Sequence, residues 1–182
     1  MKPNLSQHYS LTVPSPWGGF LLQSNEKVLL SLKFPGQKKN TEEKNTKKKN
    51  AGKKSNAKSD KSLPVCLTEA AYLLAKYFQG EKVHLSKLKI NDETYTPFQR
   101  DVIKELLKTK PGKTLAYGEL AVKAGHGRAA RAVGSVMSSN PLPIVIPCHR
   151  VVCADGSLGN YTCGTAWKKR LLELEKAQST RK

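Results

Sequence analysis

Between Tyr9 and Phe34 the apolar positions follow a two-residue rhythm. Tyr9, Leu11 and Val13 alternate with polar neighbours, residues 16–19 have the composition of a turn, and residues 20–22 and 28–34 resume extended apolar patterns. Alternation turns one face of each stretch inward, so the segment predicts a hairpin or meander of short strands. From Leu67 the rhythm lengthens. Leu67, Ala70, Ala71, Leu74 and Phe78 fall at helical spacing, with Gly80 as a stop. Residues 81–94 read as an extended connector. A second helix follows Pro97, with Phe98, Val102, Ile103, Leu106 and Leu107 as its apolar stripe and Pro111 and Gly112 as its end.

Two short helices come next, at 117–124 and 128–138, separated by Gly125 and closed by Asn140 and Pro141. That is the outline of a helix-turn-helix. The second of them surrounds Arg131 with Ala129, Ala130, Ala132 and Gly134, which lets a backbone approach something closely. A groove of DNA fits, and so does a neighbouring helix. Residues 142–146 are an unbroken apolar run that predicts a buried strand, followed by Pro147-Cys148-His149-Arg150, a polar loop, and a last helix carrying Trp167, Leu171 and Leu174.

One segment has no such rhythm. Residues 36–62 hold ten lysines and three acids without one large apolar side chain, so they predict disorder. Lys47–Lys49 with Lys53 and Lys54 match a nuclear address or a DNA-holding arm, with a plain solvated linker as the alternative. The 182-residue chain carries a net charge of +18, and its basic excess extends beyond this insert, which points to a polyanion and most simply to nucleic acid. No apolar stretch is long enough to span a membrane, and the first ten residues lack the apolar core of a signal peptide, so the expectation is an intracellular protein with no membrane partner.

Three of the four cysteines, Cys148, Cys153 and Cys163, crowd into one short segment, and Cys66 stands apart. A thiol with the ordinary pKa of about 8.5 is mostly protonated at neutral pH, and a neighbouring base removes most of that barrier. His149 is next in sequence, Pro147 favours a break from regular structure, and Glu173 or Glu175 on the last helix could orient the imidazole. Cys148 also reads as a small buried hydrophobe. Zinc ligation by Cys148, His149, Cys153 and Cys163 is a further alternative, but their spacing matches no common zinc module.

The string Ile146-Pro147-Cys148-His149-Arg150-Val151 resembles the signature of the O6-alkylguanine-DNA alkyltransferases, whose Pro-Cys-His-Arg core carries an acceptor cysteine. The resemblance continues through Phe98-Gln99, Tyr117-Gly118-Glu119-Leu120-Ala121, Ala129-Ala130-Arg131-Ala132-Val133-Gly134, Asn140-Pro141 and Gly159-Asn160-Tyr161, covering nearly all of residues 96–176. In the N-terminal half it rests chiefly on Ser15-Pro16-Trp17-Gly18.

The resemblance implies an α/β chain: a ribonuclease-H-like N-terminal domain over residues 1–92, then a winged helix-turn-helix domain over 93–182 that holds both DNA contacts and thiol. It implies a monomer that repairs double-stranded DNA containing O6-alkylguanine, with O4-alkylthymine as a second candidate substrate, without cofactor or metal, in the nucleus. The helix-turn-helix enters the minor groove, the damaged nucleotide is flipped out, and the alkyl group passes once and irreversibly to the cysteine. Carried over by position, Cys148 resembles the acceptor, His149 its base acting through water, and Glu175 the orienting acid. Arg131 resembles the finger that fills the gap in the duplex, flanked by Ala130 and Gly134. Tyr117 would rotate the phosphate and bond the guanine, Lys168 would support Tyr117, and Asn140 would be a hinge. Met137 and Tyr161 would wall the pocket, and backbone groups of Cys148, Val151 and Thr162 would read the base. Cys163 stands where the family usually has glycine, which predicts a narrower pocket. A DNA-binding regulator that senses alkylation or oxidation through Cys148 is the rival from another class.

Overall fold

The computed structural model describes residues 7–36 and 63–180. The lysine-rich segment expected to be disordered, including Lys47–Lys49, Lys53 and Lys54, lies outside the described residues apart from Gly36. Strands β1 (Tyr9–Val13), β2 (Phe20–Ser24) and β3 (Leu29–Lys33) form an antiparallel meander in chain order, with Leu11 opposite Leu22 and Leu22 opposite Leu32. The two-residue rhythm is what buries it: Phe20, Leu22 and Ser24 face inward while Leu21 and Gln23 are half-buried.

Helix α1 (Val65–Phe78) packs on β1 and β2 through Leu67, Ala70, Leu74, Tyr77 and Phe78. Phe20 stacks on Phe78 with ring centroids 4.5 Å apart, and Trp17 and Phe20 both meet Trp167 of α5 (Thr165–Thr180) edge-on, at 5.9 and 5.5 Å. The aromatic cluster therefore joins the first strands to the last helix, and burying such rings contributes about 2–3 kcal/mol each.

The stretch after α1 is not the free connector its sequence suggests. It forms a short 3-10 helix, Leu85–Lys87, and then pairs with β3: the amide of Leu29 donates to the Lys89 carbonyl at 2.9 Å, and that of Asn91 to the Leu29 carbonyl at 3.3 Å. The Leu32 amide donates to the Pro141 carbonyl at 2.9 Å. An edge strand exposes unpaired backbone groups, and these segments satisfy them.

Helix α2 (Pro97–Leu107) opens on a capping box, in which the Thr96 hydroxyl accepts from the Gln99 amide at 3.2 Å and the Gln99 side chain accepts from the Thr96 amide at 2.8 Å. Helices α3 (Tyr117–Lys123) and α4 (Ala130–Ser138) pack against each other and against α2. Their turn places Gly125 at φ 81° and Arg128 at φ 66°; the left-handed backbone of Arg128 delays α4 to Ala130, two residues later than the sequence predicts.

Residues 142–146 are buried as expected but are not a strand. The Ile146 amide closes back on the Leu142 carbonyl at 2.8 Å, and Ile144 turns the chain at φ 77°. Pro143 removes an N–H group from inside the run, and Pro141 and Pro147 remove those at its two flanks. An apolar run reports burial, and its period alone does not distinguish a strand from a packed loop.

Candidate active site and nucleic-acid interface

Two very short strands decide where the reactive groups meet. β4 (Leu115–Ala116) and β5 (Val151–Val152) pair in parallel, Leu115 with Val151 and Ala116 with Val152. Tyr117, the first residue of α3, therefore begins beside Cys153 at the end of β5, and a 3-10 helix of Cys148, His149 and Arg150 leads into that strand.

Cys148 is 4% exposed. The Asn140 side chain donates to its Sγ at 3.1 Å and to the Ile146 carbonyl at 2.9 Å, and accepts from the Leu142 amide at 2.9 Å. One amide thus holds both ends of the 142–146 loop and touches the thiol. The thiol donates toward the Tyr161 hydroxyl at 3.8 Å. Burial pushes the Cys148 pKa up, against the opposing effects of Asn140, Tyr161 and the Lys168 charge, so the resting sulfur keeps its proton.

His149, next on the same 3-10 turn, turns one nitrogen of its ring to α5. Its ring Nε2 lies 2.8 Å from Glu175 Oε1, and both side chains are fully buried. Burial lowers the His149 pKa and keeps the ring neutral. Glu175 is pushed up by burial, yet the hydrogen bonds and charges of His149 and Arg150 outweigh this and hold it well below the usual carboxylate range. An ionised carboxylate only accepts, so Nε2 carries the proton and Nδ1 presents its lone pair. Nδ1 is buried and bonds to no protein atom. Glu173, the other candidate acid, is exposed on α5 and faces Lys169 at 4.0 Å.

Lys168 is fully buried, and burial lowers its pKa. Its ammonium donates to the Val151 carbonyl at 2.5 Å and to the Leu158 carbonyl. An ammonium at that depth is held by carbonyl acceptors, and through Leu158 it fixes the loop beside Tyr117. The ring of Tyr117 is flanked by glycines. A Cβ on Gly134 would lie 4.0 Å from the Tyr117 ring, and one on Gly159 would lie 3.9 Å from its hydroxyl and 2.9 Å from Cys153 Sγ. A side chain at Gly134 would thus meet Tyr117 only at ordinary van der Waals distance, and Ala130 beside it is half-buried.

Arg131, Ser135 and Ser138 share the solvent face of α4 with Ala132, so one cation stands among short side chains with no acid on that helix. Met137 and Val151 are buried, Tyr161 and Cys163 half-buried, and Thr162 is exposed with its hydroxyl donating to the Ser138 carbonyl at 3.1 Å. Among the described residues no three His, Cys, Asp or Glu side chains are grouped to hold a metal ion.

Two participants were missed. Arg150 donates Nε to Glu175 Oε2 at 2.9 Å and a terminal nitrogen to Oε1 at 2.8 Å, and the Tyr77 hydroxyl donates to Oε1 at 3.0 Å. The Gly112 amide adds a bond to Oε2 at 3.1 Å. The available signals were an arginine inside an apolar segment and a tyrosine on the buried face of α1, both of which require partners.

A helix-turn-helix whose second helix presents an exposed arginine and no acid, backed by a buried cysteine and an oriented His–Glu pair, defines a nucleic-acid-binding protein that carries its own thiol acceptor. Residues 8–91 match the 6-O-methylguanine DNA methyltransferase ribonuclease-like domain, and residues 97–177 match the DNA binding domain of the same family. The chain is 40% identical over 163 residues to the methylated-DNA–protein-cysteine methyltransferase of Methanosarcina barkeri, covering 90% of this chain and 94% of that one. It is 53% identical over 79 residues to the human protein of that name, covering 43% and 38% of the two chains. The crystal structure of Mycobacterium tuberculosis OGT in complex with DNA superposes with a TM-score of 0.71 at 33% identity, covering 92% of each chain. The chain belongs to the 6-O-methylguanine DNA methyltransferase family.

Proposed function

We propose that this protein repairs alkylated DNA by moving the alkyl group from O6 of guanine to Cys148 in a single turnover. The observation that carries the reading is the buried Cys148 thiol held by Asn140 at 3.1 Å, next to an imidazole whose outer nitrogen is fixed by Glu175 at 2.8 Å. His149 Nδ1 takes the thiol proton through a bridging water as Sγ approaches the alkyl carbon. The S–C bond forms as the C–O6 bond breaks, the electron pair leaves with the guanine, and the proton passes on to that base. The thioether has no route back to a thiol, so each molecule acts once.

An atom inside the duplex is out of line with a buried sulfur, so the damaged nucleotide is turned out of the stack. In this reading α4 lies along the minor groove, Arg131 fills the space left behind, and Tyr117 bonds the guanine within a pocket walled by Met137, Tyr161 and Cys163. O4-alkylthymine presents the same leaving group. The protein acts as a monomer without a cofactor, and the lysine-rich segment addresses it to the nucleus, which a fluorescent fusion with and without residues 36–62 tests.

Mass analysis of the full chain after reaction with a duplex holding one O6-methylguanine tests the chemistry. The peptide containing Cys148 should gain one methyl in place of a hydrogen, with no second turnover, and Cys148→Ala should abolish the gain while binding DNA. Intact binding without transfer by the unaltered protein would leave the thiol-sensor reading in its place.

A further inference from the structure

A cavity of about 640 Å³ lies beside the site, sharing Tyr77 and Arg150 with it and neither Asn140 nor Tyr161, the partners of the Cys148 sulfur. Its volume falls in the ordinary range for small-molecule sites. Lys82, His84, Lys108, Lys110 and Arg150 line it, and no Asp or Glu does. Between these basic groups the wall is apolar, with Val83, Leu107, Val145 and Pro147. Of the basic groups, Lys108 already pairs with Glu105 and Arg150 with Glu175.

Arg150 has five N–H donors. Its Nε and one terminal nitrogen serve Glu175, and the other terminal nitrogen donates to the Thr109 carbonyl. Two N–H bonds therefore remain beyond those three contacts, on a planar group suited to carboxylate. We propose that this cavity is a binding site for a small organic anion with an apolar body, a medium-chain carboxylate being its simplest form. The cationic rim selects the charge. The apolar wall between Val83 and Val145 selects the body. Arg150 also holds Glu175, but the lysines of the rim and the apolar wall have no part in the transfer to Cys148, and the proposal stands independently of it.

Octanoate is the probe. Calorimetric titration of the full chain should show one saturable site, with acetate and octanol both binding at least about tenfold more weakly, since each lacks one of the two features. Lys82→Glu with Lys110→Glu, both on exposed side chains, should weaken octanoate by a similar factor while leaving the circular dichroism unchanged. In the unaltered protein the methyl resonances of Val83 and Val145 should move on titration, a readout that does not depend on any variant. Absence of a saturable site, equal affinity for acetate, or octanoate shifts confined to residues away from the cavity would overturn the proposal.

Discussion

The phenol of Tyr77 on α1 donates to the carboxylate of Glu175 on α5 at 3.0 Å, so the strand-bearing half of the chain reaches directly into the acid that orients His149. Because Tyr77 is buried, its hydroxyl has no solvent to fall back on. Tyr77→Phe should cost about 1–2 kcal/mol of unfolding free energy, measured by urea denaturation. It should also slow methyl transfer to Cys148 without changing DNA affinity. Equal transfer rates would limit Tyr77 to a structural role.

Arg150 offsets a carboxylate that is fully out of water. Arg150→Met strands that charge and should destabilise by about 3–5 kcal/mol. Replacing both partners, Arg150→Met with Glu175→Gln, should cost clearly less than the two single changes added together, because the stranded charge is gone. Additive losses in chemical denaturation would contradict the coupling.

Acid should unfold the protein in two steps. His149 is lowered by burial, and Glu175 is held low by His149 and Arg150 against burial, so both fold with pKa values below their unfolded ones. In each window the unfolded chain binds more protons, and stability rises with pH. Melting temperature should therefore decline below about pH 6.5, where an unfolded histidine takes its proton, and again below about pH 4.3, where an unfolded glutamate does. His149→Gln should erase the upper step.

Much of this arrangement was legible in the residues themselves. The periods of residues 9–34 and 65–78 placed the sheet and α1 correctly, because each buries a single face. Thiol chemistry alone offered Cys148, His149 and either Glu173 or Glu175, and the resemblance chose Glu175 and added Asn140. Tyr77 and Arg150 stayed hidden because their roles depend on contacts 98 and 25 positions away in sequence. The loop at 142–146 was misread as a strand because proline placement and a left-handed residue, not hydrophobicity, set its path.

Asn140 lowers the Cys148 pKa by donating to the sulfur. Asn140→Ala should move the pH midpoint of Cys148 alkylation by iodoacetamide upward. It should also cost about 1–3 kcal/mol, because the buried Ile146 carbonyl and Leu142 amide lose their partner. A midpoint that stays put would show that other groups set the thiol.

Arg131 is exposed, so Arg131→Ala should leave stability within about 0.5 kcal/mol. Transfer from duplex DNA should slow nonetheless, while transfer from a free O6-alkylguanine base should not. Equal slowing on both substrates would argue against a role in opening the duplex.

Ile144 receives opposite instructions from its backbone and its surroundings. At φ 77° the backbone favours glycine, while 1% exposure favours a large apolar side chain. Glycine there would relax the turn and open a hole, and any larger residue would keep the strain and crowd the core. Neither single step improves both, so the position resists substitution in either direction, and the path from Asn140 to Cys148 is held by that conflict as much as by its hydrogen bonds.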